Sequence, residues 1–307
     1  MKSKLDNIVR FHTQSNWSGF DQYVLTFSLE MLMTGLTSEQ LATYELKGFV
    51  SPIDVFTIKE VNAIRAELEA LETSHPEVVS GRNRNNAHYV TPLLDEIAHN
   101  SKILDAVESV IGSNILVGGT TLFVKEPEQN DFISWHQDAR YIGLEPYNWV
   151  TAWLALSDVT KQNGCMYMWE GSHRGGVLEH VDTFDENNLL TRGQTILDVP
   201  ESITVPIELR PGQFSLHHPL VVHGSGQNLS SGRRIGFAIQ SYIGDNVDSV
   251  LGQIYVQQAR GRDTHGFHHH APRPASFLEE KDVIFREKAN IALKDIFYRG
   301  AKRVGKF

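Results

Sequence analysis

His136 and Asp138, in the run Ser134-Trp135-His136-Gln137-Asp138, place an imidazole and a carboxylate two residues apart. On a β-strand, residues i and i+2 face the same side, so the pair can converge on one metal ion. A second, distant histidine would complete a two-histidine, one-carboxylate set, which holds a non-haem iron on one face and leaves positions open for other ligands. The downstream candidates are His217, His218 and His223. His223 is the better ligand, because its apolar strand, Val221-Val222-His223, ends in Gly224-Ser225-Gly226, small residues that let a ligand approach the backbone. His217 and His218 are adjacent and must face opposite sides, and each reads as a structural histidine on or beneath the sheet. With 14 histidines and 37 acidic residues in 307, an H-x-D spacing also arises by chance. The flanking sequence has to decide.

An anchor for an organic acid stands 11 residues after His223 (234 minus 223). Alternation along Arg234-Ile235-Gly236-Phe237-Ala238-Ile239-Gln240 puts Arg234, Gly236, Ala238 and Gln240 on one face and the bulky apolar residues on the other. The first face is small between its polar ends, which leaves room beside a guanidinium whose planar fork can grip a carboxylate at two points. Arg233, on the opposite face, reads as a surface residue.

The elements that must hold these residues change character along the chain. Residues 1–35 are mixed and aromatic and read as an N-terminal extension. From 36 to 113 the pattern is a helical buttress: Thr37 or Ser38 can cap a first helix running to about Leu46, Gly48-Phe49-Val50 is a short strand, and Thr57 opens a helix with Val61, Ile64, Leu68 and Leu71 at helical spacing. Val90–His99 and Lys102–Ile111 are two further helices, the second stopped by Gly112. From 114 to 245 short β-rich runs alternate with turn signals, among them Gly118-Gly119, Asn163-Gly164 and Pro211-Gly212. About eight short strands after a helical block predict an α+β protein with a mainly β core, a jelly roll (double-stranded β-helix) buttressed by N- and C-terminal helices. Residues 246–307 add a polar, His-rich lid loop (His265, His268 to His270) and a helix from roughly Phe277 to Arg299. The whole reads as one domain.

Composition bounds the partners. At 41% hydrophobic and 21% charged residues the chain can bury a proper core, and its formal charge of −9 shows no basic block of the kind nucleic acid needs. One cysteine, Cys165, excludes an intramolecular disulfide and suits a reducing compartment. No run reaches the roughly 18 apolar residues of a membrane span. A cytoplasmic protein acting on a small molecule is the expectation, as a monomer or a homodimer.

The same residues, with Thr151-Ala152-Trp153-Leu154-Ala155-Leu156-Ser157-Asp158-Val159, Asn163-Gly164-Cys165, Gly171-Ser172-His173, and Asn228 and Ser230, resemble the phytanoyl-CoA dioxygenase family of iron(II)- and 2-oxoglutarate-dependent oxygenases from about Leu36 to Ile243. The resemblance implies that His136, Asp138 and His223 bind iron(II). It also implies that Arg234 pairs with the far carboxylate of 2-oxoglutarate, that Ser225 hydrogen-bonds near that end, and that Trp153 packs on the cosubstrate, with Thr121 and Thr151 as further contacts. Dioxygen is then the oxidant, and succinate and CO2 are coproducts. Halogenating relatives carry Gly or Ala at the carboxylate position, so Asp138 points to oxygenation, with desaturation or ring closure as alternatives. A metal- and acid-binding jelly roll without turnover is the reading from a different class. Glu170 stands where the family has Pro before Gly-Ser-His. For the substrate pocket the candidate residues are His88, Gln137 and Tyr141, and the variable segments expected to line it are Arg82 to His88, Tyr141 to Trp149 and the His-rich segment near residue 268. The His268 to His270 run reads as a solvated loop in preference to a second metal site.

Overall fold

Along the Arg234–Gly244 strand, side chains alternate between two destinations. Ile235, Phe237 and Ile239 enter a large apolar core, whereas Arg234, Ala238 and Gln240 line an internal cavity. The neighbouring strand Trp149–Ala155 divides the same way, with Val150, Ala152 and Leu154 in the core and Thr151 and Trp153 on the cavity. The structure, a computed structural model, describes residues 34–79 and 84–304. The expected N-terminal extension up to residue 33, and Arg82 at the head of the polar loop, lie outside the described residues.

Two sheets enclose the cavity. The larger has seven strands in the order Phe49–Asp54, Gln213–His217, Trp149–Ala155, Arg234–Gly244, Ile115–Lys125, Tyr255–Arg260 and His269–His270. All its neighbours are antiparallel except the last pair, which is parallel. The smaller sheet runs Ile133–His136, His223–Ser225, Met166–Trp169, Thr204–Ile207. This is the jelly-roll arrangement expected from the sequence.

The apolar face of the larger sheet is covered by helices Ile58–Ser74, Pro92–Ala98 and Ser101–Ile111, which contribute Leu68, Leu71, Leu94, Ile103, Leu104 and Val107 to the same core as the sheet. Thr37 and Thr57 both build capping boxes, with Gln40 and Glu60 returning the hydrogen bond to the cap's own N–H. The helix begun at Ser38 ends at Lys47, where Gly48 takes φ 84. Among the described residues no helix is long and apolar enough to cross a membrane.

Three expectations are corrected. Gly118-Gly119 is not a turn: Ile115–Lys125 is one continuous strand of 11 residues. The glycines lie opposite a bulge between Ile239 and Tyr242, and a Cβ on Gly118 would come within 2.5 Å of the Ile243 side chain. The C-terminal helix is shorter than expected, Glu280–Phe297. The His-rich segment is not a free loop, since His269–His270 pairs with Tyr255 and Val256 and His268 is buried with Nε2 2.8 Å from the Val247 carbonyl.

Phe237 is fully buried between the sheet and its helical cover. Its replacement by Ala should cost about 3–5 kcal/mol of stability, seen as a lowered urea midpoint with an unchanged m-value. A loss below about 1 kcal/mol would contradict the packing described here.

Candidate metal centre

His136 closes its strand and His223 opens the adjacent one, and the two are direct cross-strand partners in the smaller sheet. Each imidazole is oriented by its own backbone. His136 Nδ1 lies 2.8 Å from the Ser134 carbonyl and His223 Nδ1 3.0 Å from the Val221 carbonyl. A carbonyl only accepts, so both Nδ1 atoms carry a hydrogen, and in the neutral ring Nε2 is the nitrogen left with a lone pair. That tautomer is the one a metal requires.

Asp138 completes the set, but not from a shared strand. The strand ends at His136, and Asp138 already has helical angles (φ −59, ψ −39) as the residue before the short helix Ala139–Ile142. Convergence therefore comes from a strand-to-helix turn. Gln137 pins it: its amide nitrogen donates to the Gly176 and Leu220 carbonyls and its amide oxygen accepts from Leu178 N–H. Asp138 Oδ1 faces both imidazoles, 3.5 Å from His136 Nε2 and 3.9 Å from His223 Nε2. One donor atom from each of the three residues falls within 4.8 Å of the others. Oδ2 turns away, 2.9 Å from Thr151 Oγ and 3.4 Å from His217 Nε2. Burial alone would raise the Asp138 carboxyl, but the facing histidines overcome it and hold the group well below the usual carboxylate range. Burial, reinforced by His136, pushes the His223 imidazole well below its usual range. A carboxylate oxygen with two imidazole nitrogens on one side is a donor set that fits iron(II).

The cavity has a volume of about 560 Å3 and extends between the sheets from the triad to Arg234. Arg234 is 1% exposed, and its Nε and Nη2 have no hydrogen-bond partner in the protein. Burial pushes its guanidinium down to about 10. Its charge lies 5.2 Å from the Trp153 ring centre. The indole fits only because residue 236 is glycine, where a Cβ would stand 1.9 Å from the Trp153 ring. Ser225 lines the cavity and shares a strand with His223. Thr121 also lines it, its hydroxyl bridging Asn85 and Gln240.

The sequence-based site residues divide. His136, Asp138, His223, Arg234, Ser225, Trp153, Thr151, Thr121 and Tyr141 all line the one cavity. Tyr141 stacks on His136 with ring centres 5.9 Å apart. His88 and Gln137 do not line it. His88 is fully buried, with Nδ1 2.7 Å from Thr120 Oγ, and burial pushes its imidazole down to about 3. Gln137 is spent on the turn between the ligands.

His217 was read as structural, yet it lines the cavity beside Asp138, 1% exposed, and neither ring nitrogen has a hydrogen-bond partner of good geometry. The parity of its strand carried the signal: Phe214 and Leu216 belong to the helix-covered core, so Ser215 and His217 must face inward. Phe297 of the last helix and the segment from Glu186 to Thr191 also line the cavity and were not foreseen, because loop and helix contributions leave no periodic trace. Lys125, fully buried and paired in register with Arg234, was passed over as a strand end.

Comparison with known proteins agrees with this geometry. The chain is 31% identical over 151 residues to a probable phytanoyl-CoA dioxygenase of Caenorhabditis elegans, covering 47% of this chain and 48% of that protein, so it spans about half of that relative's length. It is 27% identical over 238 residues to a probable alpha-ketoglutarate-dependent hypophosphite dioxygenase of Stutzerimonas stutzeri, covering 70% of this chain and 81% of the relative. Among solved structures, the apo form of the non-heme monooxygenase ThoJ superposes with a TM-score of 0.75 at 31% identity, over 85% of this chain and 98% of that one. The model of the Phytanoyl-CoA dioxygenase (PhyH) family matches residues 44–236, a span that takes in His136, Asp138, His223 and Arg234. With that match on the sequence side and the triad facing a buried arginine on the structural side, the chain belongs to the phytanoyl-CoA dioxygenase family.

Proposed function

We propose that this protein is an iron(II)- and 2-oxoglutarate-dependent dioxygenase that hydroxylates an unactivated C–H bond of a small metabolite or biosynthetic intermediate. The observation that carries this reading is Arg234, a buried cation whose Nε and Nη2 have no hydrogen-bond partner, at the far end of a cavity whose other end holds two imidazole nitrogens and a carboxylate oxygen. A dicarboxylic 2-oxo acid matches both ends. Iron(II), when bound by His136, Asp138 and His223, would supply with 2-oxoglutarate and dioxygen the oxidative decarboxylation to succinate and CO2 and the oxidising power for the C–H bond.

The chain's own residues do the rest. Arg234 gives its two free donors to the far carboxylate, Ser225 lies beside it, and Trp153 forms the wall. Thr151 and His217 flank Asp138 Oδ2, so Oδ1 alone is offered to the metal. The supported outcome is oxygen transfer, because the carboxylate is present where halogenating relatives lack one. Beyond the cosubstrate the wall carries Arg84 against Asp131 and Glu186. That balance suits a small polar substrate better than the clustered phosphates of a coenzyme A ester. A reducing, cytoplasmic setting fits the single buried cysteine, Cys165.

Anaerobic addition of iron(II) and 2-oxoglutarate should produce a weak visible metal-to-ligand charge-transfer band, and its absence would count heavily against the oxygenase. Arg234→Met should weaken 2-oxoglutarate binding by about 10- to 100-fold through loss of charged hydrogen bonds, while Mn(II) affinity stays within about twofold. Equal loss of both would mean that the substitution had damaged the fold instead of the anchor. Gly236→Ala should displace Trp153 and weaken 2-oxoglutarate binding at least about tenfold; unchanged affinity would show that Trp153 is not its wall.

A further inference from the structure

Arg234 lines the cavity, and a second basic side chain, Lys125, stands beside it in the sheet. They are cross-strand partners on Arg234–Gly244 and Ile115–Lys125, and each is 1% exposed. Thr121 and Phe123, at the same parity as Lys125, line the cavity, so the Lys125 side chain points to the inner side of the sheet.

The Lys125 ammonium meets only neutral acceptors. Nζ donates to Ser225 Oγ at 2.7 Å, to the Ser225 carbonyl at 3.3 Å and to the Gly226 carbonyl. The bond to Oγ has a directional consequence. A serine hydroxyl has one hydrogen and two lone pairs. With a lone pair taken by Lys125, the hydrogen of Ser225 is left to donate, and Ser225 lines the cavity. We propose that Lys125 is a positioning residue for the organic acid: in the acid-bound site it commits the Ser225 hydroxyl to donate into the cavity, towards the same carboxylate that Arg234 grips.

This inference rests on the 2-oxoglutarate reading of the cavity. Electrostatics agree with it. Burial, with Arg234 beside it and Asp131 opposing, pushes Lys125 down to about 6, and the negative charge of a carboxylate arriving at Arg234 favours the protonated, donating form of the amine. The same lysine ties the end of the Ile115–Lys125 strand to the strand that carries His223. It thereby fixes the distance between the carboxylate end and the metal end of the site.

The test compares two acids by anaerobic calorimetric titration of the full-length protein loaded with Mn(II): 2-oxoglutarate, and 2-oxobutyrate, which lacks the far carboxylate. Wild type should bind 2-oxoglutarate much more tightly; equal binding of the two acids would overturn the 2-oxoglutarate reading itself. Given that preference, Lys125→Met should raise the 2-oxoglutarate Kd about tenfold and leave the 2-oxobutyrate Kd within about twofold. Ser225→Ala should lose a similar factor, and the double variant should be no worse than about twofold beyond the weaker single, since the two act as one unit. Lys125→Gln, which keeps a donor without the charge, should fall between wild type and Lys125→Met, and it stands in should the methionine variant fail to fold. A Kd that does not respond to Lys125, equal loss for both acids, or losses that multiply in the double variant would each overturn the proposal.

Discussion

A guanidinium taken out of water and left without an anion costs several kcal/mol, and a fold keeps such a group only when something else repays it. Arg234 is that group here, and the surrounding architecture follows from holding it in place. Alternation along its strand faces the guanidinium inward while Ile235 and Phe237 anchor the other face among the helices. The missing side chain at Gly236 admits Trp153 beneath it. Lys125 stands beside it in register. A carboxylate beside Arg234 would supply the acceptors that its Nε and Nη2 lack within the protein.

The opposite end of the cavity uses the same economy by other means. Two backbone carbonyls, each two residues before the histidine it serves, fix both imidazole tautomers without help from any other side chain. Asp138 depends more on its neighbours, since it lies past the end of its strand, and Gln137 and Thr151 hold the turn and the second oxygen. The metal ligands are thus set by main-chain geometry on the sheet side and by a side-chain network on the helix side.

Much of this was legible in the sequence because it obeys period-two arithmetic. The Arg234 face, the paired role of Thr151 and Trp153, and the helical cover over Val150 and Leu154 all follow from alternation. Where the reading failed, a local rule yielded to a distant neighbour. Gly118-Gly119 carried a turn signal, yet the requirement was space for Ser241 and Ile243 across a bulge. Gln137 is a polar residue near the right place whose amide is consumed by the turn, and His88 is buried away from the cavity with Nδ1 on Thr120. His217 was recoverable from parity, and Lys125 from its register with Arg234 once the pairing of the two strands is known. The contributions of residues 186–191 and of Phe297 were not, since they come from a loop that meets Ser134 from 54 positions away and from the last helix, 156 positions (297 minus 141) beyond Tyr141.

That last contact divides the cavity wall into two kinds of material. Phe297 meets Tyr141 edge-on at 5.8 Å, Arg192 donates to the Phe297 carbonyl, and the Tyr298 hydroxyl donates to Thr191, so the last helix and the 186–191 segment close one side together. None of His136, Asp138, His223 and Arg234 comes from this wall, and no sheet strand runs through it. The loop and helix side of the cavity is therefore built independently of the strands that carry the triad and the buried arginine, and the two can vary separately.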